Sequence, residues 1–126
     1  MVWTLFQVAL GGAIGASLRF LVGVGALRLF GHMQFPVAVM SVNILGSFLM
    51  GVFVVTAAQK GLTHLSPFVM TGLLGGFTTF SAFSLEAVTL YQRGDIGQAA
   101  IYIGASVAFS ILGLFAGLLV ARVILT

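Results

Sequence analysis

The chain has 126 residues, 60% of them hydrophobic and only 6% Asp, Glu, Lys or Arg, with a mean hydropathy of +1.23. Soluble domains carry about a quarter charged residues, so this composition excludes one and describes an all-α membrane protein. Cysteine is absent and the two histidines are far apart, which rules out a disulfide framework, a thiolate metal site and a histidine ligand cluster. The five basic residues, Arg19, Arg28, Lys60, Arg93 and Arg122, are too scattered to form a nucleic-acid-binding stripe and suit anchoring at lipid headgroups.

Uncharged runs of about 20 residues cross a ~30 Å hydrocarbon core. They predict a single transmembrane domain, residues 1–126, with helices at about 2–27, 36–58, 67–91 and 96–121. No Lys or Arg precedes Arg19, so the N-terminal apolar run is expected to be the first helix rather than a signal peptide. In that helix Gly12, Ala16, Arg19 and Gly23 share a face. Arg19 on this face either points into protein or a water-filled vestibule, or snorkels to a headgroup. Pro36 opens the second helix and Pro67 the third, both at positions where a helix tolerates proline. Arg93 to Asp95 is expected to be a polar hairpin, with Asp95 capping the fourth helix. His32 and His64 fall in loops.

Small residues repeat at four-residue spacing, as in Gly11 and Gly15, Gly72 and Gly76, and Gly113 and Gly117. Such spacing lets helix backbones approach closely. With the N-terminus on one side, that side carries the α-amino group, Lys60 and Arg122, and the other carries Arg28 and Arg93. Orientation is normally set by an excess of Lys and Arg on the cytoplasmic side. A chain without that excess either inserts in both orientations, allowing an antiparallel homodimer about an axis in the membrane plane, or follows weaker biases to one orientation.

The polar groups at mid-depth are neutral. Asn43 and Ser47 lie one turn apart on the second helix, Thr78, Thr79 and Ser81 on the third, and Ser106 and Ser110 on the fourth, where Tyr102 continues their stripe. Amide and hydroxyl donors beside aromatic rings suit an anion, because ring edges carry the positive part of the quadrupole. A cation would prefer carboxylates or arrayed carbonyls. In membrane helices a Phe every third residue more often serves helix packing, and Ser and Thr commonly hydrogen-bond helix to helix, so that reading stands beside the anion path.

These features concentrate in Thr71 to Glu86, TGLLGGFTTFSAFSLE. Gly75 and Gly76 either release the backbone from helical geometry near the bilayer centre, exposing carbonyls, or permit a close helix crossing without a break. Phe77, Phe80 and Phe83 recur every third residue, with hydroxyls between them. Glu86, near the end of the span, suits a vestibule or hydrogen-bonding position better than proton coupling.

GGAIGASLRF in the first helix, VNILGSFLMG from Val42 to Gly51 and the Thr71 to Glu86 stretch resemble the Fluc/CrcB fluoride channels over essentially the whole chain. The resemblance implies four transmembrane helices with the third broken near its centre, in a dual-topology antiparallel homodimer in the bacterial inner membrane. Two pores would passively export fluoride and lessen its toxicity. Carried over residue by residue, it implies that Phe80, Phe83 and Asn43 line the fluoride path, with Ser81, Ser84 and Ser110 along a hydroxyl track. It also implies that the carbonyls of Gly75 and Thr78 hold a structural sodium ion at the dimer centre. Ala82 stands where the family often has threonine, which removes one hydroxyl from that track. The implied partners are fluoride, lipid and a second copy, with no nucleic acid.

The alternative is a small proton-coupled multidrug or anion exporter. That mechanism calls for a central carboxylate, and no Asp or Glu precedes Glu86. An enzyme is not expected, since no nucleophile, base and orienting group occur together.

Overall fold

A computed structural model describes all residues from Met1 to Thr126. It is entirely helical, and four stretches are long and apolar enough to cross a membrane: Val2–Phe30, Val37–Lys60, Thr63–Gln92 and Ile96–Leu125. Helix α1 is Val2–Phe30 and α2 is Val37–Lys60, and each runs past the predicted limit. Arg28 and Lys60 lie in the last turns, where a cation complements the C-terminal end of the helix dipole, so a charge does not end the helix. The stops are glycines with positive φ, Gly31 at 71° and Gly61 at 69°.

The third span is compound. A short 3-10 turn, Thr63–Leu65, leads to Pro67–Leu74, which is wound as a π-helix. The Gly75 N–H then reaches the carbonyls of both Met70 and Gly72. A single turn, α3 at Gly75–Phe77, comes next, and α4 at Phe80–Gln92 resumes the span. Between them Thr78 (φ −86°, ψ 160°) and Thr79 (φ −154°, ψ 121°) are extended. The break therefore lies just beyond the glycine pair. Gly75 itself keeps right-handed helical geometry, φ −63° and ψ −37°.

The glycines instead make close crossings. A Cβ on Gly76 would lie 2.8 Å from the Gly12 carbonyl oxygen, and one on Gly72 would lie 2.9 Å from Cα of Gly11. A Cβ on Gly15 would fall on the Leu73 carbonyl oxygen, which seats α1 against the π-helical segment. On the other side of the bundle α2 crosses α5, Ile96–Leu125, in the same manner. There a Cβ on Gly51 would meet the Leu114 carbonyl and one on Gly117 the Phe48 carbonyl.

Toward one end, Phe83, Ala87, Leu90, Ala99 and Tyr102 form a buried cluster against Phe35, Val39 and Met40. Tyr102 meets Phe35 edge-on at 5.6 Å and Phe83 at a tilt at 5.3 Å between centroids. At the same end Arg93 Nη2 donates to the Gln34 carbonyl at 2.9 Å, joining two loops. Asp95 occupies the cap position of α5 as expected, but only its backbone carbonyl caps, accepting from Ala99 N–H at 2.9 Å. Its carboxylate turns toward Arg93 Nε, 3.6 Å away.

Replacing Gly117 with Val is expected to push α5 off α2 and abolish a monodisperse detergent-solubilised species in size-exclusion chromatography. Ala at Gly104, whose Cβ would meet nothing within 4 Å, is expected to be tolerated and provides the control.

Candidate functional site

Two adjacent extended residues at membrane depth leave backbone groups unpaired, and each must find another partner. Asn43 on α2 supplies the first pair. Its Oδ1 accepts from Thr79 N–H at 2.8 Å, and its Nδ2 donates to the Thr79 carbonyl at 3.0 Å. One side-chain amide thus takes the place of a strand neighbour for Thr79. Thr78 Oγ1 donates to the Leu74 carbonyl at 2.9 Å, closing α3, and Thr79 Oγ1 accepts from Ala82 N–H at 3.1 Å, capping α4. Arg19 Nε donates to the Gly76 carbonyl at 3.2 Å, which decides its direction in favour of protein.

Two carbonyls lose their helical donor. The helical donor for Gly75, the N–H of Thr79, is committed to Asn43, and no backbone donor reaches the Thr78 carbonyl.

The break forms one wall of a groove of about 400 Å³. Asn43 and Ser47 line it from α2, Thr78, Thr79, Phe80 and Phe83 from the break and α4, and Ser106 and Ser110 from α5. Met50, Val107, Ile111 and Leu114 complete the apolar part, and no charged side chain contributes. The rings of Phe80 and Phe83 are 5.5 Å apart and tilted by 46°. Their settings differ, since Phe83 is 9% exposed, within the buried cluster, and Phe80 is 77% exposed at the groove's open side.

Of the residues singled out from sequence, the structure brings Asn43, Phe80, Phe83 and Ser110 together with Thr78 in this groove. Ser81 lies on the exposed surface, its hydroxyl 3.2 Å from that of Thr79 and outside the lining. Ser84 and Glu86 are also outside the lining. Gly75 is exposed at the chain's surface.

Two hydroxyls gain importance. Ser106 Oγ and Tyr102 Oη are buried without a hydrogen-bond partner, at 4% and 0% residue exposure. Leaving such a group unpaired costs about 1–3 kcal/mol. Their i, i+4 spacing with Ser110 was the available signal in the sequence. Ser106 faces the groove, and Tyr102 stands directly behind Phe83.

Chemically the groove offers donors without a counter-charge. The Asn43 amide has two N–H bonds and spends one on Thr79, and the hydroxyls of Ser47, Ser106 and Ser110 have no partner within the chain. The positive end of α4 begins at Thr79 and Phe80. Rings, hydroxyls and an amide around an uncharged groove, in a chain with four helices able to cross a membrane, define a small multi-pass membrane protein whose site suits an anion better than a cation.

Comparison with known proteins agrees with this class. The profile of the family described as CrcB-like protein, Camphor Resistance (CrcB), matches residues 6–118. A protein of Ruegeria sp. (strain TM1040) is 68% identical over 126 residues, covering both chains completely. One of Roseobacter denitrificans is 66% identical over 120 residues, covering 94% of this chain and 95% of its own. One of Cereibacter sphaeroides is 62% identical over 122 residues, covering 97% of each. All three are named fluoride-specific ion channel FluC. The chain belongs to the CrcB family.

Asn43→Leu removes both partners of Thr79 while keeping the side chain's bulk. Thermal unfolding in detergent should show a destabilisation of about 1–3 kcal/mol for the unpaired backbone groups. An unchanged midpoint would mean that the break holds without the amide.

Proposed function

We propose that this protein is a fluoride channel of the cell membrane, carrying the anion passively outward and so limiting its toxicity. The observation that carries the reading is the uncharged groove at the helix break, where amide, hydroxyl and aromatic ring groups from α2, α4 and α5 converge. Fluoride is small and strongly hydrated, and close donors must replace its water. A passage narrowed by Phe80 and Phe83 disfavours the bulkier chloride, while neutral donors keep each resting place weak enough to leave. The absence of an acid from the lining argues against proton coupling, and the names of the relatives supply the identity of the ion.

The working unit is proposed to be an antiparallel homodimer in which each chain contributes one of two pathways. Three features support it. The α-amino group, Lys60 and Arg122 on one side balance Arg28 and Arg93 on the other. Phe80 is exposed although it lines the groove, and a second copy would close that side. At Gly75 an added Cβ would meet only the Met70 carbonyl oxygen, at 3.3 Å, so the chain alone leaves room that a partner backbone would fill. The carbonyls of Gly75 and Thr78 fit the ligand set of a small monovalent cation, with two oxygens from each copy. A sodium ion held there would neutralise carbonyl dipoles at the contact. Ser81 and Ser84 are proposed to join the hydroxyl track in the assembled dimer.

Purified protein in liposomes loaded with potassium fluoride should release the ion when a potassium ionophore is added, while liposomes loaded with chloride should retain theirs. Correctly assembled protein that releases no fluoride would contradict the proposal. Replacing Phe80 or Phe83 with Leu should slow release by about tenfold, corresponding to ~1.4 kcal/mol of lost ring-edge stabilisation, without loss of assembly.

A further inference from the structure

On α2 the amide that pairs Thr79 is followed, three residues on and on the same face, by Gly46. Gly46 is buried and also lines the groove. A Cβ there would fall on the γ-methyl of Thr78, with Phe77 Cδ2 at 3.5 Å and Thr78 Cβ at 3.7 Å. Gly11, Gly15, Gly51, Gly72, Gly76 and Gly117 press on the backbone of a facing helix. Among the glycines a Cβ would crowd, Gly46 is the one whose nearest neighbour is a side chain, and that side chain belongs to the break.

Threonine is stiff at χ1, and its hydroxyl and methyl turn together. The hydroxyl arm of Thr78 is committed, since Oγ1 donates to the Leu74 carbonyl at 2.9 Å beside the Thr78 N–H, which reaches the same oxygen at 3.0 Å. With that arm fixed, the methyl points at α2 and needs the space that Gly46 leaves. A filled notch would force one of two losses. Rotation of χ1 would withdraw the hydroxyl from Leu74, or the break would recede from α2 and draw Thr79 away from the Asn43 amide. Retreat of α2 is opposed by its crossings with α5 at Gly51 and Gly117.

We propose that Gly46 is a positioning residue of the channel: its missing side chain is the seat of the Thr78 methyl. Seat and amide, three residues apart on one helix, fix the direction in which the extended residues leave α3. They thereby fix where the Thr78 carbonyl and, two residues later, the Phe80 ring stand. The proposal rests on the channel reading and names what sets the geometry of its pathway, although Gly46 has no side-chain donor to offer an anion. It also accounts for threonine at 78, whose hydroxyl serves Leu74 while its methyl serves Gly46.

The seat is defined by one methyl group, so removing that methyl should relieve a filled notch. Serine at 78 keeps the hydroxyl, and the remaining neighbours of an added Cβ are at ordinary van der Waals distance. Gly46→Ala in the natural sequence should slow fluoride release from liposomes about tenfold, whereas the same substitution in a Thr78→Ser background should change release by less than about threefold. The Asn43 side-chain amide resonances report independently of flux. Gly46→Ala should shift or broaden them, and Gly46→Ala with Thr78→Ser should match Thr78→Ser alone. Gly51→Ala, which presses on the Leu114 backbone, provides the contrast, and its effect should be the same size with either residue at 78. The seat is contradicted if Gly46→Ala releases fluoride at the wild-type rate, if its penalty is equal in both backgrounds, or if Thr78→Ser relieves Gly51→Ala as well. Should Gly46→Ala alone fail to assemble, the double variant decides, since it must assemble and release fluoride at close to the Thr78→Ser rate, and its failure to assemble contradicts the seat. Wild-type liposomes that release no fluoride would defeat the channel reading, while the amide resonances would still decide the seat.

Discussion

The pair of hydrogen bonds between the Asn43 amide and the backbone of Thr79 is the constraint on which the rest of the site depends. A membrane helix cannot be interrupted without somewhere for its N–H and C=O groups to go. Asn43 takes one of each at 2.8 and 3.0 Å, Thr79 Oγ1 caps α4, and Arg19 occupies the Gly76 carbonyl. The main backbone groups of the interruption are thereby paired, while the carbonyls of Gly75 and Thr78 are left without their helical donors.

Interrupting the helix also redirects the side chains of α4. Two extended residues reset the helical phase, so Phe83 turns into the buried cluster while Phe80 remains at the open side of the groove. The glycine crossings make this geometry possible by holding α1 against the π-helical segment and α2 against α5. Without such close approach Arg19 would not reach Gly76 on its neighbour, nor would α5 bring Ser106 and Ser110 opposite Asn43.

The four spans, the neutrality of the deep polar groups and the importance of Thr71 to Glu86 were legible in the sequence because composition and depth alone determine them. The position of the break was not. Glycine is the residue that local propensity marks as permissive, yet Gly75 stays helical and the β-branched Thr78 and Thr79 are extended. Their conformation is held by an amide 36 residues earlier in the chain, a contact that no local window contains. For the same reason depth and helical spacing picked out Asn43, Ser47, Ser106 and Ser110 without showing which faces meet, and the family resemblance, which grouped Asn43, Phe80, Phe83 and Ser110, also grouped Ser81 and Ser84 with them although both lie outside the groove of the single chain.

The central claim, that Asn43 holds an extended interruption at Thr78 and Thr79 in the membrane, is tested most directly by solid-state NMR of the protein in liposomes. The Cα and Cβ chemical shifts of Thr78 and Thr79 should be those of extended backbone, flanked by helical shifts at Gly76 and Ser81, and Asn43→Leu should move them or broaden them. Helical shifts running unbroken from Gly75 to Phe83 in the wild-type protein would contradict the account.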